Sequence, residues 1–274
     1  APLGQPGQPA RFLFACLLAV DHTGRVSDCA AVPTEQSNKA YWEQRFRTNW
    51  REYGASEQTL FFARTFANAA PPWFFRLVAN EAHTLTDVGC AEGQAVDFLK
   101  LVLRASSATG IDLSETAIAS ARKHFRDCNF IVSDVLKDEI EPADIVYCSN
   151  LLHLFDSGDR ARVLGKLLDA AKVVAALMIP VPDGGFNADS PDGADLYELP
   201  AVCQGAYLAF AKTVDTASIP DSLWYGEQLL LIYLNDRIAA LGDTAASFSI
   251  SADRNPWQDG SPAVISFARP APST

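Results

Sequence analysis

The stretch from Leu85 to Lys100, LTDVGCAEGQAVDFLK, constrains this chain more than any other. A short apolar run ends in Asp87, turns through Gly89, Ala91 and Gly93, and opens into Ala95, Phe98, Leu99 and Leu101 at helical spacing. That pattern reads as strand, tight turn and helix. Glycines bring backbone N–H groups close to a ligand, and the helix N-terminus behind them carries partial positive charge. Dinucleotide-binding sheets use such a turn, and so do ordinary strand-to-helix connections. Asp87 separates the options, because a carboxylate two residues before the first glycine repels a pyrophosphate lying on the loop. The third glycine of G-x-G-x-x-G is also missing, since Gln94, Ala95 and Val96 follow Gly93. An acidic strand end suits a cationic ligand bearing an ammonium and a sulfonium.

Further elements follow in the order of a doubly wound sheet. SSATGIDLSETAIASARKHF gives a strand ending in Asp112, a Ser114 cap and a helix carrying Ile118, Ala121 and His124. Asp112 lies 23 residues beyond Gly89, placed to accept hydrogen bonds from both ribose hydroxyls of a nucleoside. Nicotinamide enzymes share that feature. The next strand, Phe130 to Val132, ends at SDVL, and ADIVYCSNLLHLF carries a fourth strand to Ser149, Asn150 and His153. This is the topological switch region, where catalytic groups are expected. His153 is either a neutral imidazole that takes a proton from an acceptor or a helix-start residue that packs or caps.

The pattern of acidic residue, glycine, small residue and glycine at Asp87, Gly89, Ala91 and Gly93 resembles the first motif of the class I S-adenosylmethionine-dependent methyltransferases. Ala91 stands where many members have glycine, which matters only if that residue needs φ above zero. The resemblance covers roughly residues 41–270. It implies an α/β, Rossmann-like, doubly wound sheet of seven strands with the last one antiparallel, and S-adenosyl-L-methionine as cofactor. The residues that match the cofactor positions are Asp87, Gly89, Ala91, Gly93, Asp112 with Leu113, Asp134 with Val135 at the adenine, and Ser149. His153 is the candidate base, although many relatives have Glu-His where this chain has His153 and Leu154. No metal is required. Trp224, Tyr225 and Glu227, with EQTLFFA at 57–63 and PPW at 71–73, resemble segments of bacterial methyltransferases found with polysaccharide and secondary-metabolite assembly. The resemblance therefore implies O- or N-methylation of a small or medium acceptor, a sugar or a natural-product intermediate, free or carrier-bound. Two other classes stay open: a non-catalytic domain that binds a partner within a larger assembly, and a nicotinamide-dependent oxidoreductase.

Bulk properties narrow the partners. A net charge of −11 without a lysine or arginine cluster longer than two disfavours nucleic acid and membrane surfaces. Six cysteines without CxxC or CxxH spacing argue against zinc and for reduced thiols in the cytoplasm. Residues 1–10 read as a flexible tail, and 11–80 as an accessory hairpin with helices. Residues 81–274 form the core, with an insertion at 183–224 that holds a short apolar helix around Val202 to Phe210. Tyr41, Trp42, Phe46 and Trp50 form a helical aromatic stripe in which Tyr41 and Trp42 are candidates for lining the substrate, as are Trp224, Tyr225 and Glu227. His83 reads as a surface residue. Leu229, Leu230, Ile232, Tyr233 and Ile238 read as a last helix, followed by a C-terminal strand pair that supplies the antiparallel strand. Oligomeric state does not follow from the sequence.

Overall fold

The computed structural model describes residues 39–48, 50, 55–78, 83–180, 202–203, 205–216, 227–235, 249–250 and 267–268. The tail at 1–10, the hairpin at 11–32, and Trp224 and Tyr225 lie outside the described residues. Three helices come first: α1 (Lys39–Arg47), α2 (Ala55–Ala69) and α3 (Pro72–Val78). Pro72 opens α3, where its missing N–H costs nothing. Then β1 (Thr84–Val88), α4 (Gln94–Val102), β2 (Ser107–Asp112), α5 (Glu115–His124), β3 (Asn129–Val132), β4 (Ala143–Ser149), α6 (Ser157–Ala170) and β5 (Ala171–Pro180) alternate. The sheet continues with β6 (Val202–Cys203), β7 (Ala206–Asp215) and β8 (Glu227–Asn235), while β9 (Ser249–Ile250) and β10 (Phe267–Ala268) pair separately.

The strand order is β3-β2-β1-β4-β5-β8-β7-β6. Strands β1 to β5 are parallel, and β8 runs antiparallel to both β5 and β7. Seven strands thus form the doubly wound sheet with an antiparallel member, and the two-residue β6 adds a hairpin edge to β7. Strand order reverses between β1 and β4, so the loops leaving their C-terminal ends part and open a crevice. One face of the sheet, through Leu85, Ile145, Tyr147 and Met178, packs on Phe62, Phe66 and Phe74 and on Leu99 and Ile118. Val88, Val146, Cys148 and Leu177 on the other face pack on Val163, Leu164 and Leu167 of α6. The aromatic residues of α2 and α3 are therefore core, not an accessory.

The antiparallel strand is β8, which corrects the expected last helix and the assignment of that strand to the C-terminal pair. Leu229 to Leu234 are six consecutive apolar residues, all buried. Leu230, Ile232 and Leu234 join one face, while Leu229, Leu231 and Tyr233 join the other. A surface helix buries one stripe, whereas a central strand covered on both faces buries every side chain. The same physics turns the apolar tract at 202–210 from a short helix into β6 and β7, so two strands of the sheet lie inside the tract read as an insertion. His83 is not on the surface. It is 6% exposed, its carbonyl accepts from the N–H and hydroxyl of Ser106, and its Nδ1 lies 3.9 Å from the Asp144 carboxylate.

Candidate functional site

The loop after β1 is tied to β2 by its own backbone. Gly89 and Cys90 both donate their N–H groups to the carbonyl of Ile111, at 2.9 and 3.1 Å. The N–H of Gly93 donates to the Cys90 carbonyl at 3.0 Å, closing the turn. Gly93 stands in the left-handed region at φ 89° and starts α4 without a side-chain cap, so the helix N-terminus faces the crevice with its N–H groups free of a competing side chain. Ala91 also has a positive φ, 49°. An alanine rather than a glycine here is therefore not neutral: an L-residue pays about 1 kcal/mol or more there. In return its methyl packs against Trp50.

Two carboxylates flank this loop. Asp87 is 2% exposed and sits beside Tyr147 in the pairing of β1 with β4. Burial, and then the charge of Asp112, push its carboxyl up to about 8, and no cation among the described residues offsets them. Asp112 accepts from the N–H of Ala91 through Oδ2 and from the N–H of Ser114 through Oδ1, each at 2.9 Å. Burial raises it, and those two bonds act in the opposite direction. Leu113, half-buried, follows it.

Beyond β3, Asp134 accepts from the N–H of Leu136 at 3.1 Å and from Lys137 Nζ at 2.7 Å. Val135 packs partly buried beside it. At the end of β4, Ser149 is half-buried and accepts a bond from the Asn150 side-chain amide at 2.9 Å. Asn150 turns the chain at φ 52° and donates its N–H to the Met178 carbonyl. Asn150 Oδ1 and Gln94 Oε1 are buried without a partner. His153 lies in a single 3-10 turn, Leu152–Leu154, where the guanidinium of Arg160 donates to the carbonyls of Leu152 and Phe155. Its Nδ1 is buried and unpaired. Burial, and then the Arg160 charge, bring its pKa down to about 4, so the ring is neutral.

Residues 85–173 match the protein family described as a methyltransferase domain. That stretch is similar to a methyltransferase domain from β1 to the start of β5. Relatives include the trans-aconitate 2-methyltransferase of Delftia acidovorans, 24% identical over 60% of this chain and 61% of that protein. The enzyme of the same name from Azoarcus sp. is 26% identical over 63% of this chain and 66% of that protein. The chain thus spans under two thirds of the length of these relatives. Among solved structures, magnesium protoporphyrin IX methyltransferase from Synechocystis PCC 6803 with bound SAM superposes over 76% of this chain and all of that one, with TM-score 0.52 and 13% identity. The plantazolicin methyltransferase in complex with a pentazolic desmethyl analogue and SAH gives TM-score 0.51 at 16% identity over 74% of this chain and 98% of that one. These likenesses show the class I methyltransferase fold.

The fold gathers Asp87, Gly89, Ala91, Gly93, Asp112 and Leu113 around one loop. Asp134 with Val135 follows the neighbouring strand, and Ser149 with His153 lies across the switch point. Glu227 is exposed at the start of β8. Among the described residues no helix is long and apolar enough to cross a membrane, and no cluster of His, Cys, Asp and Glu is arranged to hold a metal ion. Cys90, Cys128 and Cys148 are free thiols.

Helix α1 carries two stripes, one aromatic and one charged. Lys39, Glu43 and Arg47 recur every four residues and face α5. Glu43 accepts from the backbone N–H groups of Glu115 and Thr116 and bonds the Thr116 hydroxyl, Lys39 pairs with Glu115 at 2.6 Å, and Arg47 Nε donates to Thr116 at 3.2 Å. Burial raises the Glu43 carboxyl, but its bonds to Thr116 and to the two backbone N–H groups outweigh burial and lower it overall. A carboxylate at the first turn of α5 also meets the positive end of that helix. The second stripe, Trp42 and Phe46 with Trp50 beyond it, packs partly on Ala91. The i,i+4 spacing of Lys39, Glu43 and Arg47 was the available signal for the first stripe.

Proposed function

We propose that this protein transfers the methyl group of S-adenosyl-L-methionine to a small organic acceptor. The observation that carries the reading is Asp87, a buried carboxyl beside the glycine loop with no cation against it. Bringing a cationic ligand there lets the carboxyl ionise and turns a desolvation cost into an attraction. A pyrophosphate at the same place meets repulsion, which counts against a nicotinamide cofactor.

S-adenosylmethionine supplies a methyl group already activated on a sulfonium. The chain's own residues then position it. Asp112 keeps lone pairs for the ribose hydroxyls while Ala91 and Ser114 fix its carboxylate, and the open N-terminus of α4 and the turn N–H groups meet the polar part of the ligand. Asp134 and Val135 stand at the strand next to β2, where the adenine belongs. Ser149, Asn150 and His153 line the acceptor side of the switch point, and methyl transfer there requires acceptor and methyl in line at about 3–3.5 Å. A histidine with a pKa near 4 is a weak base, so His153 stands at the acceptor side as a neutral ring and does not drive proton removal. Tyr41 and Trp42 on α1 give the acceptor pocket an aromatic wall, which supports a small or medium organic molecule, free or carrier-bound, such as a sugar, a natural-product intermediate or a carboxylic acid like that named for the relatives.

The nucleoside half of this reading is tested at Asp112. Calorimetric titration with S-adenosylhomocysteine is expected to show Asp112→Ala binding about a hundredfold more weakly than the wild type, because two charge-assisted ribose bonds are lost. Undiminished binding in that variant would place the nucleoside elsewhere.

A further inference from the structure

The first turn of α5 is closed by a side chain from another element. N–H groups at a helix start have no helical partner of their own. Ser114 donates its N–H to Asp112 Oδ1 at 2.9 Å, and Ala117 donates to the Ser114 hydroxyl oxygen at 3.1 Å, the local cap. The two N–H groups between them, from Glu115 and Thr116, both go to Oε1 of Glu43 on α1, whose Oε2 accepts from the Thr116 hydroxyl at 2.5 Å. The start of α4 has no side-chain cap, whereas that of α5 is filled. Asp112 and α1 also bridge the same two segments. Asp112 joins the glycine loop to α5 through the N–H groups of Ala91 and Ser114. Helix α1 and the residues after it join them again, with Trp50 on Ala91 and Glu43 on Glu115 and Thr116. The two carboxylates stand close enough for the Glu43 charge to oppose ionisation of Asp112.

Resting on the reading of Asp112 as the ribose carboxylate, we propose that Glu43 is a positioning residue for nucleoside binding: by occupying the Glu115 and Thr116 N–H groups, it keeps Asp112 from being drawn into the cap of α5. An aspartate readily bonds backbone N–H groups just ahead of it, and Asp112 already holds that of Ser114. The next donor along is the N–H of Glu115. A carboxylate beside an uncapped helix start is pulled onto it by the free N–H groups and the helix dipole. Without Glu43, Asp112 turns Oδ1 along α5 and gives up lone pairs that the ribose hydroxyls require. Glu43 supplies the negative charge in its place and leaves Asp112 fixed by Ala91 and Ser114. Lys39 pairs with the Glu115 carboxylate and Arg47 donates to the Thr116 hydroxyl, so two contacts still seat α1 on α5 when Glu43 is replaced.

The experiment is a double-mutant cycle on the full chain, read by calorimetric titration with S-adenosylhomocysteine up to millimolar concentration. Glu43→Ala weakens binding by about tenfold in the wild-type background, the loss of a charge-assisted contact to the ribose. Glu43→Gln, whose amide oxygen still accepts from both N–H groups, stays within about threefold of the wild type. In the Asp112→Ala background Glu43→Ala changes affinity by less than about twofold, because its effect passes through a carboxylate that is no longer there. A role confined to holding the fold together costs the same factor in both backgrounds. A single cooperative thermal transition in each variant shows that all of them are folded. The proposal is overturned by equal factors in the two backgrounds, by wild-type affinity in Glu43→Ala, or by a Gln variant that binds no better than the Ala variant. If the wild type fails to bind S-adenosylhomocysteine the methyltransferase reading falls first, and if Asp112→Ala alone binds as the wild type does the ribose assignment falls; both are read before Glu43 is changed.

Discussion

Asp87→Asn stabilises the ligand-free protein at pH 8 while weakening its affinity for S-adenosylmethionine by about a hundredfold or more. The reason is a carboxyl whose pKa in the folded state, about 8, stands above its ordinary value of 3.8. The folded protein therefore holds a proton that the unfolded chain releases. The stability linked to that proton is fully present at low pH and is lost as pH rises towards 8, by up to about 1.4 kcal/mol per pH unit. His153 acts in the opposite sense. Its folded value of about 4 lies below the ordinary 6.5, so its contribution is present above 6.5 and is lost as pH falls from 6.5 towards 4. The two slopes offset each other below 6.5 and leave the Asp87 loss visible between 6.5 and 8. Urea denaturation at half-unit steps from pH 6 to 8.5 is expected to show wild-type stability falling across that window and a flat profile in Asp87→Asn. Parallel profiles would mean that Asp87 is ionised in the free protein. An amide cannot ionise to meet an ammonium or sulfonium, so the same variant loses the ligand: the site is held in readiness at the expense of stability.

Gly93→Ala disrupts the domain itself. Gly93 has φ 89°, and a Cβ built there meets Phe130 Cε1 at 2.7 Å, Phe130 Cζ at 2.8 Å and the Ala121 methyl at 3.1 Å. The left-handed conformation costs an L-residue about 1–2 kcal/mol, and pushing a buried ring aside costs about 1–3 kcal/mol more. Phe130 is 4% exposed and closes the core beside α5, so it has nowhere to retreat. A total of about 2–5 kcal/mol is a large share of a typical domain's stability, and a fall in the thermal midpoint of about 10 °C is expected. Pairing the substitution with Phe130→Leu should recover the part due to the ring and leave the part due to φ. A Gly93→Ala protein with unchanged midpoint and unchanged ligand affinity would show that the turn relaxes freely.

Much of the site was readable because the groups that form it sit at strand ends in fixed order. A carboxylate before a glycine turn, a second at the end of the next strand, and a switch-point histidine follow from alternating strand and helix signals, and the sheet sets them around one crevice. The continuous apolar run Leu229–Leu234 was misread as a helix because a strand buried on both faces has no period of its own. Its neighbours β5 and β7 decide the matter, and β7 was hidden in a tract that reads as a polar insertion. His83 looked exposed at a loop end, since nothing near it in sequence announces Asp144 of β4 as its cover. Ala91 illustrates the limit of motif reading from the other side: its departure from glycine was legible, but the positive φ and the Trp50 contact that give the methyl its consequence were not.

The central claim is that the crevice between β1 and β4 binds a cationic adenosyl ligand through Asp87. It is tested most directly by calorimetric titration of the wild-type protein with S-adenosylmethionine at pH 7 in two buffers of different ionisation enthalpy, with NADH titrated in parallel. Micromolar binding of S-adenosylmethionine, none of NADH, and release of close to one proton per ligand bound as Asp87 ionises are expected. Binding of NADH, or binding of S-adenosylmethionine without proton release, would contradict it.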